Sequence, residues 1–166
     1  MILYLLRHGD AGDGLISPTQ DAARKLTSIG KEKTRAVIRA VKAMKYPVPD
    51  AIVSSPLTRA QETANIAQAE LAPVAHFEET TALVPSAEME VTMAYIMKMS
   101  AKYQYLMLVG HDPHLTSFAS LLVSGSTRPA IEMKKSSLAM FEITQLDSMR
   151  MRGLLKFLLP PKISQL

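Results

Sequence analysis

The chain has 166 residues, of which 48% are hydrophobic and 20% are charged, as expected for one globular domain with a sizeable core. It has no cysteine, which excludes disulfides, thiolate catalysis and zinc sites built on cysteine. No apolar run reaches the roughly 18 residues of a membrane span, and no segment resembles a signal peptide. We therefore expect a single domain over residues 1–166, located in the cytoplasm.

The net charge of +4 favours an anionic partner, such as a phosphate group or an acidic protein. Nucleic acid is not expected as a partner, because basic residues are dispersed and only 5% of residues are aromatic. No membrane partner is expected either, since no long apolar segment is present.

The first strand is predicted over residues 2–6, a continuous apolar run that is typical of a strand buried on both faces. Two polar side chains, Arg7 and His8, follow it directly. Residues 9–23 contain several glycines and aspartates and are predicted to form a loop. A helix is predicted over residues 28–44, because apolar side chains recur there at helical spacing.

A second short strand is predicted over residues 51–54. Ser55 and Pro56 come next, and a hydroxyl residue before a proline is typical of the N-cap and first position of a helix. We expect that helix to run to residue 71, which would place Arg59 in its first turn.

Residues 75–78 are predicted to form a third short strand, and Ser86 is predicted to cap a helix that ends near residue 102. A fourth strand is predicted over residues 105–109, a second apolar run of the fully buried kind. It ends in Gly110, and His111 and Asp112 follow.

After Pro113 a helix is predicted up to residue 123, and Gly125 is expected to end it. Residues 138–143 and 154–158 are predicted to be strands of a hairpin. The alternation of strands and helices favours an α/β fold, a three-layer α/β/α sandwich with a central, mostly parallel sheet.

Polar side chains follow three of these strands, and the carboxyl ends of parallel strands meet at one edge of a sheet. These side chains are Arg7 and His8, Ser55 and Arg59, and His111 and Asp112. Two arginines match a phosphoryl group with bidentate hydrogen bonds, and a helix N-terminus adds amide donors. A histidine beside arginines stays neutral, as a nucleophile must. The pattern predicts a pocket for phosphoryl transfer.

Four segments match the sequence motifs of a known family, in the same order along the chain. They are "LLRHGDA" (residues 5–11), "RKLTSIGKEKTRAV" (24–37), "SSPLTRAQETA" (54–64) and "LVGHDPHL" (108–115). The sequence resembles the histidine phosphatase superfamily, the phosphoglycerate-mutase-like group. Its short length and modest insert before the last motif resemble the SixA branch of phosphohistidine phosphatases. Lys25 stands where that branch usually has proline, and the glutamate acid of the mutases has no match.

The resemblance implies that His8 is the nucleophile and that Arg7, Arg59 and His111 complete the phosphate pocket, with no metal and no cofactor. The proton donor is left open. Asp112 resembles the acid of the superfamily's acid phosphatases, but before Pro113 it also reads as a helix cap. Asp10 is the alternative donor. Asp10 and Ser55 are also candidates for supporting residues beside the pocket.

The sequence therefore predicts a metal-independent phosphatase that forms a phosphohistidine intermediate and acts on protein phosphohistidine, such as that of a phosphorelay partner. A phosphatase of small phosphomonoesters is the alternative on the same site. A metal hydrolase that uses His8, Asp10, His111 and Asp112 is a second alternative. A phosphate-recognition module without catalysis is the third, although His8 argues against it.

Overall fold

A computed structural model describes residues 1–13, 17–147 and 150–162, and within them six strands form one sheet. The strands are β1 (Ile2–Arg7), β2 (Ala51–Ser54), β3 (His76–Glu79), β4 (Tyr105–Gly110), β5 (Leu138–Leu146) and β6 (Met151–Leu159). The helices are α1 (Pro18–Ala22), α2 (Ser28–Ala43), α3 (Thr58–Leu71), α4 (Met89–Ser100) and α5 (His114–Ser124). In the described residues no helix is both long and apolar enough to cross a membrane.

The sheet has the strand order β3-β2-β4-β1-β5-β6. The first four of these strands run parallel to one another, whereas β5 is antiparallel to β1 and forms a hairpin with β6. The predicted α/β fold with a mostly parallel central sheet is therefore confirmed, and so is the C-terminal hairpin.

Alternate side chains of β1 pack into two separate cores, one on each face of the sheet. Leu3 and Leu5 join the core that contains Phe118 of α5, whereas Tyr4 and Leu6 join the core that contains Ile38 of α2. These four side chains, in the middle of β1, are fully buried. Burial on both faces explains why β1 reads as a continuous apolar run, and it fixes the strand whose end carries the site.

The strand register brings the carboxyl ends of three strands level. Arg7 at the end of β1 is opposite Gly110 of β4, and Ser54 of β2 is opposite Val109 of β4. The residues that follow these strands therefore start from one edge of the sheet, as the sequence predicted.

The N-terminus of α2 packs tightly against the loop after β1. Thr27 is the N-cap of α2: its side chain accepts a hydrogen bond from the Gly30 backbone at 2.9 Å, and its own backbone N–H donates to Asp10 O at 2.9 Å. A Cβ on Gly30 would lie 2.2 Å from Asp10 O, so only glycine fits there. This contact fixes the loop that continues from His8.

Two of the helix starts that differ from the sequence predictions involve a Ser-Pro pair. The pair that starts a helix is Ser17–Pro18, which begins α1 inside the segment predicted as a loop. Ser55 and Pro56 lie instead in a turn, and α3 begins at Thr58. Leu57 holds the N-cap position of α3, while the Ser55 hydroxyl accepts from Leu57 N–H at 3.4 Å and contacts a histidine at the end of another strand. Residues 14–16 of the predicted loop lie outside the described residues.

The helix predicted to start at Ser86 begins instead at Met89, with Glu88 at the N-cap position. The preceding residues form tight turns, with hydrogen bonds from Val84 N to Thr81 O at 3.2 Å and from Ala87 N to Val84 O at 3.0 Å. These turns place Pro85 on the wall of the cavity described next.

Candidate active site

A cavity of about 330 Å³ lies at the edge of the sheet where the parallel strands end. Its lining includes five of the residues singled out in the sequence: Arg7, His8, Arg59, His111 and Asp112. These residues come from the ends of β1 and β4 and from the first turn of α3. The topology therefore brings together side chains that are up to 105 positions apart in the chain.

His8 is held in one tautomer by the backbone carbonyl of the next residue, Gly9. Its side chain is buried, and its Nδ1 lies 2.6 Å from Gly9 O, a carbonyl oxygen that can only accept a hydrogen bond. Nδ1 therefore carries the hydrogen, and Nε2 keeps a free lone pair. Burial lowers the pKa of His8 to about 4, with Arg59 and Arg7 adding to the effect and the Gly9 bond opposing it. His8 is neutral at pH 7, and its neutrality comes mainly from burial and less from the arginines.

His111 faces His8, with 4.9 Å between the ring centroids. Its side chain is buried, and its Nε2 lies 2.8 Å from the Ser55 hydroxyl. Burial, then the neighbouring His8, lowers the pKa of His111 to about 2. Ser55, predicted beside the pocket, thus holds a neutral His111 ring in place.

These shifts predict that the protein loses stability in mild acid. A histidine whose pKa is lower folded than unfolded binds fewer protons when folded, so its contribution falls as pH drops from about 6.5. His8, His111 and the buried His114 all shift in this direction. We expect the free energy of unfolding, measured with urea, to fall between pH 7 and pH 5.

The carboxyl groups of Asp10, Glu70 and Glu78 contribute little in this pH window, because their pKa values are lowered and they titrate in stronger acid than the unfolded histidines. His8→Asn is expected to reduce the slope of stability against pH by removing one buried imidazole. A stability that stays constant from pH 7 to pH 5 would contradict the prediction.

The two arginines reach the pocket with part of their hydrogen-bonding capacity already used. Arg7 Nη1 donates to Met133 O at 2.6 Å, and Arg59 Nη1 donates to Asp21 O at 2.8 Å. Asp21 Oδ2 also lies 3.3 Å from Arg59 Nη2. The arginines are thus oriented before any ligand binds.

Three buried nitrogens around the cavity have no hydrogen-bond partner among the described residues: Arg7 Nε, Arg59 Nε and His111 Nδ1. The two guanidinium nitrogens are donors, and leaving a buried donor unpaired costs about 1–3 kcal/mol. The oxygens of a phosphoryl group are acceptors that would satisfy such donors. The unpaired nitrogens and the two guanidinium groups therefore favour an oxyanion as the ligand of this cavity.

The two candidate proton donors are placed differently. Asp112 lines the cavity, and its Oδ2 lies 3.8 Å from Arg7 Nη1. Asp10 binds Lys135 Nζ at 2.6 Å and Thr27 Oγ1 at 3.0 Å, and the Lys135 contact holds the pKa of Asp10 below its usual range. An ionised, salt-bridged Asp10 is poorly suited to donate a proton.

The helix-cap interpretation of Asp112 is wrong. The N-cap position of α5 is occupied by Pro113, which follows Asp112. The Asp112 carboxyl accepts a hydrogen bond from the side chain of Thr116 and lies close to Arg7. Its carboxyl therefore belongs to the wall of the cavity.

The sequence reasoning missed three charged residues at this site: Asp21, Arg24 and Lys135. Asp21 Oδ1 lies 2.9 Å from Arg24 Nε, so a single carboxylate joins Arg24 to Arg59. Arg24 and Lys135 both line the cavity. For Asp21 and Arg24, the sequence signal was the i, i+3 spacing of opposite charges, which is typical of a helix. It was missed because these residues were predicted to lie in or next to a loop.

A metal site is not built from the predicted residues. In residues 1–13, 17–147 and 150–162, no three side chains of His, Cys, Asp or Glu are grouped so that they could hold an ion. Asp10, a member of the metal-hydrolase alternative, is instead paired with Lys135. The arrangement favours phosphate binding by arginine and histidine.

Two comparisons with known proteins show the family of the chain. Residues 3–84 match the model of the histidine phosphatase superfamily (branch 1). An uncharacterized protein from Picosynechococcus sp. is 33% identical over 140 residues, which are 83% of this chain and 82% of that protein. The chain belongs to the histidine phosphatase superfamily, and it is a phosphatase of that type.

Solved structures confirm the fold. The protein histidine phosphatase SixA, complexed with tungstate, has a TM-score of 0.83 and 22% identity over 98% of this chain and 99% of that chain. The α-ribazole phosphatase from Shigella flexneri has a TM-score of 0.73 and 18% identity, with 97% of each chain covered.

Proposed function

We propose that this phosphatase hydrolyses phosphohistidine carried by a partner protein, with His8 as its nucleophile. The observation that carries the proposal is the state of His8: neutral, buried, and fixed by Gly9 O with Nε2 free. A neutral imidazole nitrogen among cationic and unpaired donors is suited to attack a phosphoryl group.

In the first step, the His8 Nε2–P bond forms and the bond from phosphorus to the leaving imidazole breaks. Charge on the three equatorial oxygens is stabilised by Arg7, Arg59 and His111, which are already oriented. In the second step, water attacks phosphorus, the N–P bond breaks and phosphate leaves. His8 is then neutral again and the cycle can restart.

A protein-borne substrate is supported by the leaving group and by the shape of the site. Protonated imidazole departs readily, so the reaction places little demand on a strong acid. The cavity opens to solvent beside two partly exposed side chains, Asp112 and Lys135, whose side chains are 31% and 44% exposed. The likeness to SixA over nearly the whole of both chains adds support.

A small phosphomonoester is the second candidate substrate, and one observation favours it. The Asp112 carboxyl lies on the cavity wall, where it can protonate the poor alkoxide leaving group of such an ester. The likeness to the Shigella flexneri α-ribazole phosphatase points the same way.

The test compares substrates on one enzyme preparation. We expect kcat/KM to be highest for a phosphohistidine-bearing phosphorelay domain, lower for free phosphohistidine and lowest for alkyl phosphomonoesters. The order is measured by phosphate release at fixed pH and ionic strength. A higher kcat/KM for alkyl phosphomonoesters than for the phosphorylated protein would replace the proposal with the small-molecule alternative.

Activity is expected to survive exhaustive treatment with a chelator. Arg7 and Arg59 supply the positive charge that a metal ion supplies in metal-dependent phosphatases. Tungstate or vanadate should compete with substrate for the same donors. Phosphate release with an aryl phosphate, measured before and after chelation, checks the prediction. Activity that is lost on chelation and restored by a divalent cation would support the metal-hydrolase alternative.

A further inference from the structure

Thr116 lies in the first turn of α5, four residues after Asp112, and it does not line the cavity. Its side chain is largely buried, and its Oγ1 donates a hydrogen bond to Asp112 Oδ1. The backbone N–H of Met133, which lies in the segment before β5, approaches the same Oγ1 at 3.4 Å.

These two contacts fix the direction of the Thr116 hydroxyl. Its oxygen accepts from Met133 N–H, and its single hydrogen is directed to Asp112 Oδ1. The hydroxyl therefore holds Oδ1 and, with it, the orientation of the Asp112 carboxyl group on the wall of the cavity.

Met133 connects this arrangement to the candidate phosphate pocket. Its carbonyl accepts from Arg7 Nη1 at 2.6 Å, while its N–H donates to Thr116. Met133 is fully buried. The backbone of this buried residue therefore contacts both Arg7, which lines the cavity, and the hydroxyl that contacts Asp112.

We propose that Thr116 is a positioning residue that holds the Asp112 carboxyl group where it can donate a proton to the leaving oxygen of a phosphoester. The inference rests on the proposed phosphoenzyme mechanism. As the His8 Nε2–P bond forms and the bond from phosphorus to the leaving oxygen breaks, a proton moves from the Asp112 carboxyl group to that oxygen. When water later attacks phosphorus and the N–P bond breaks, a water proton returns to the carboxyl group.

The test uses leaving groups of different quality and variants of one side chain. Thr116→Val keeps the shape of the side chain but lacks the hydroxyl, and Thr116→Ser retains the hydroxyl. For an alkyl phosphate, kcat/KM of Thr116→Val should fall by about ten- to a hundredfold, because a misplaced acid loses most of its effect. For p-nitrophenyl phosphate, whose leaving group needs little acid, the fall should be less than about threefold.

Rescue and coupling provide the controls. Thr116→Ser is expected to restore alkyl phosphate turnover to near the wild-type value. In an Asp112→Asn background, Thr116→Val should cause no further loss that is selective for the alkyl ester. Thr116→Ala, which also lacks the hydroxyl, is measured beside Thr116→Val with melting curves, so that a folding defect in one variant does not decide the result.

Equal losses on both esters, or no loss on either, would overturn the proposal and leave Thr116 with a structural role. A wild-type enzyme that forms its phosphoenzyme from the aryl ester but never turns over an alkyl ester would overturn it as well. Failure of the phosphoenzyme mechanism on which the inference rests looks different: the wild-type enzyme then forms no acid-labile phosphoenzyme at all.

Discussion

Replacement of His8 by alanine is expected to abolish turnover, with a loss of at least about ten-thousandfold in kcat/KM, because the group that forms the covalent intermediate is gone. Wild-type enzyme mixed with a labelled aryl phosphate should trap label on the protein. A phosphoramidate is stable in alkali and labile in acid, so alkaline quenching should retain the label and acid quenching should release it.

The matched control is His76→Ala. His76 is an exposed histidine on β3 that is paired with Glu78, and it does not line the cavity. This variant should keep wild-type turnover, and both variants should melt cooperatively. Near-normal activity in His8→Ala, or an acid-stable label on wild-type protein, would contradict the role given to His8.

Replacement of Arg59 by methionine is expected to lower kcat/KM by about a hundred- to a thousandfold, the cost of removing one preorganised donor to transition-state charge. Arg59→Lys should recover little of this loss, because an ammonium group cannot bind Asp21 and a phosphoryl group with the same fixed fork. The inhibition constant of tungstate should rise in both variants. Steady-state kinetics with an aryl phosphate measures these effects.

Arg39→Met is the control for loss of one positive charge. Arg39 lies on α2, its side chain is 65% exposed, and it pairs with Glu70 away from the cavity. Its replacement should leave kcat/KM within about twofold of wild type, since exposed ion pairs contribute little. If kcat/KM of Arg59→Met falls by less than about tenfold, Arg59 does not stabilise the charge of the transition state as predicted.

The fold could be predicted because its strands carry strong local signals. β1 and β4 are apolar runs buried on both faces, and each ends in a charged or polar motif at the edge where parallel strands meet. The positions of Arg7, His8 and His111 follow from those strand ends alone. Arg59 could be placed there because it lies in the first turn after the second strand.

Other parts of the site depend on contacts that the local sequence does not encode. Ser55 reads as a helix cap, but its hydroxyl contacts His111, which is 56 residues away in the chain. The sequence predicts that Asp21 lies in a loop, whereas in the structure it lies in α1 and its backbone carbonyl accepts a hydrogen bond from Arg59. The orientation of Asp112 depends on Thr116 and on Met133 from a distant segment. Such long-range polar contacts are decided by the packing of whole elements.

The contacts that the arginines make within the chain affect the last step of the cycle, the release of phosphate. Arg59 is hydrogen-bonded to the Asp21 backbone and ion-paired with its carboxylate. A free phosphate ion would therefore share the Arg59 guanidinium with a carboxylate of the chain, and the like charges of phosphate and Asp21 repel. Inorganic phosphate is therefore held less tightly than by unpaired arginines. We therefore expect inorganic phosphate to be a weak competitive inhibitor, so that release of the product does not limit the next turnover.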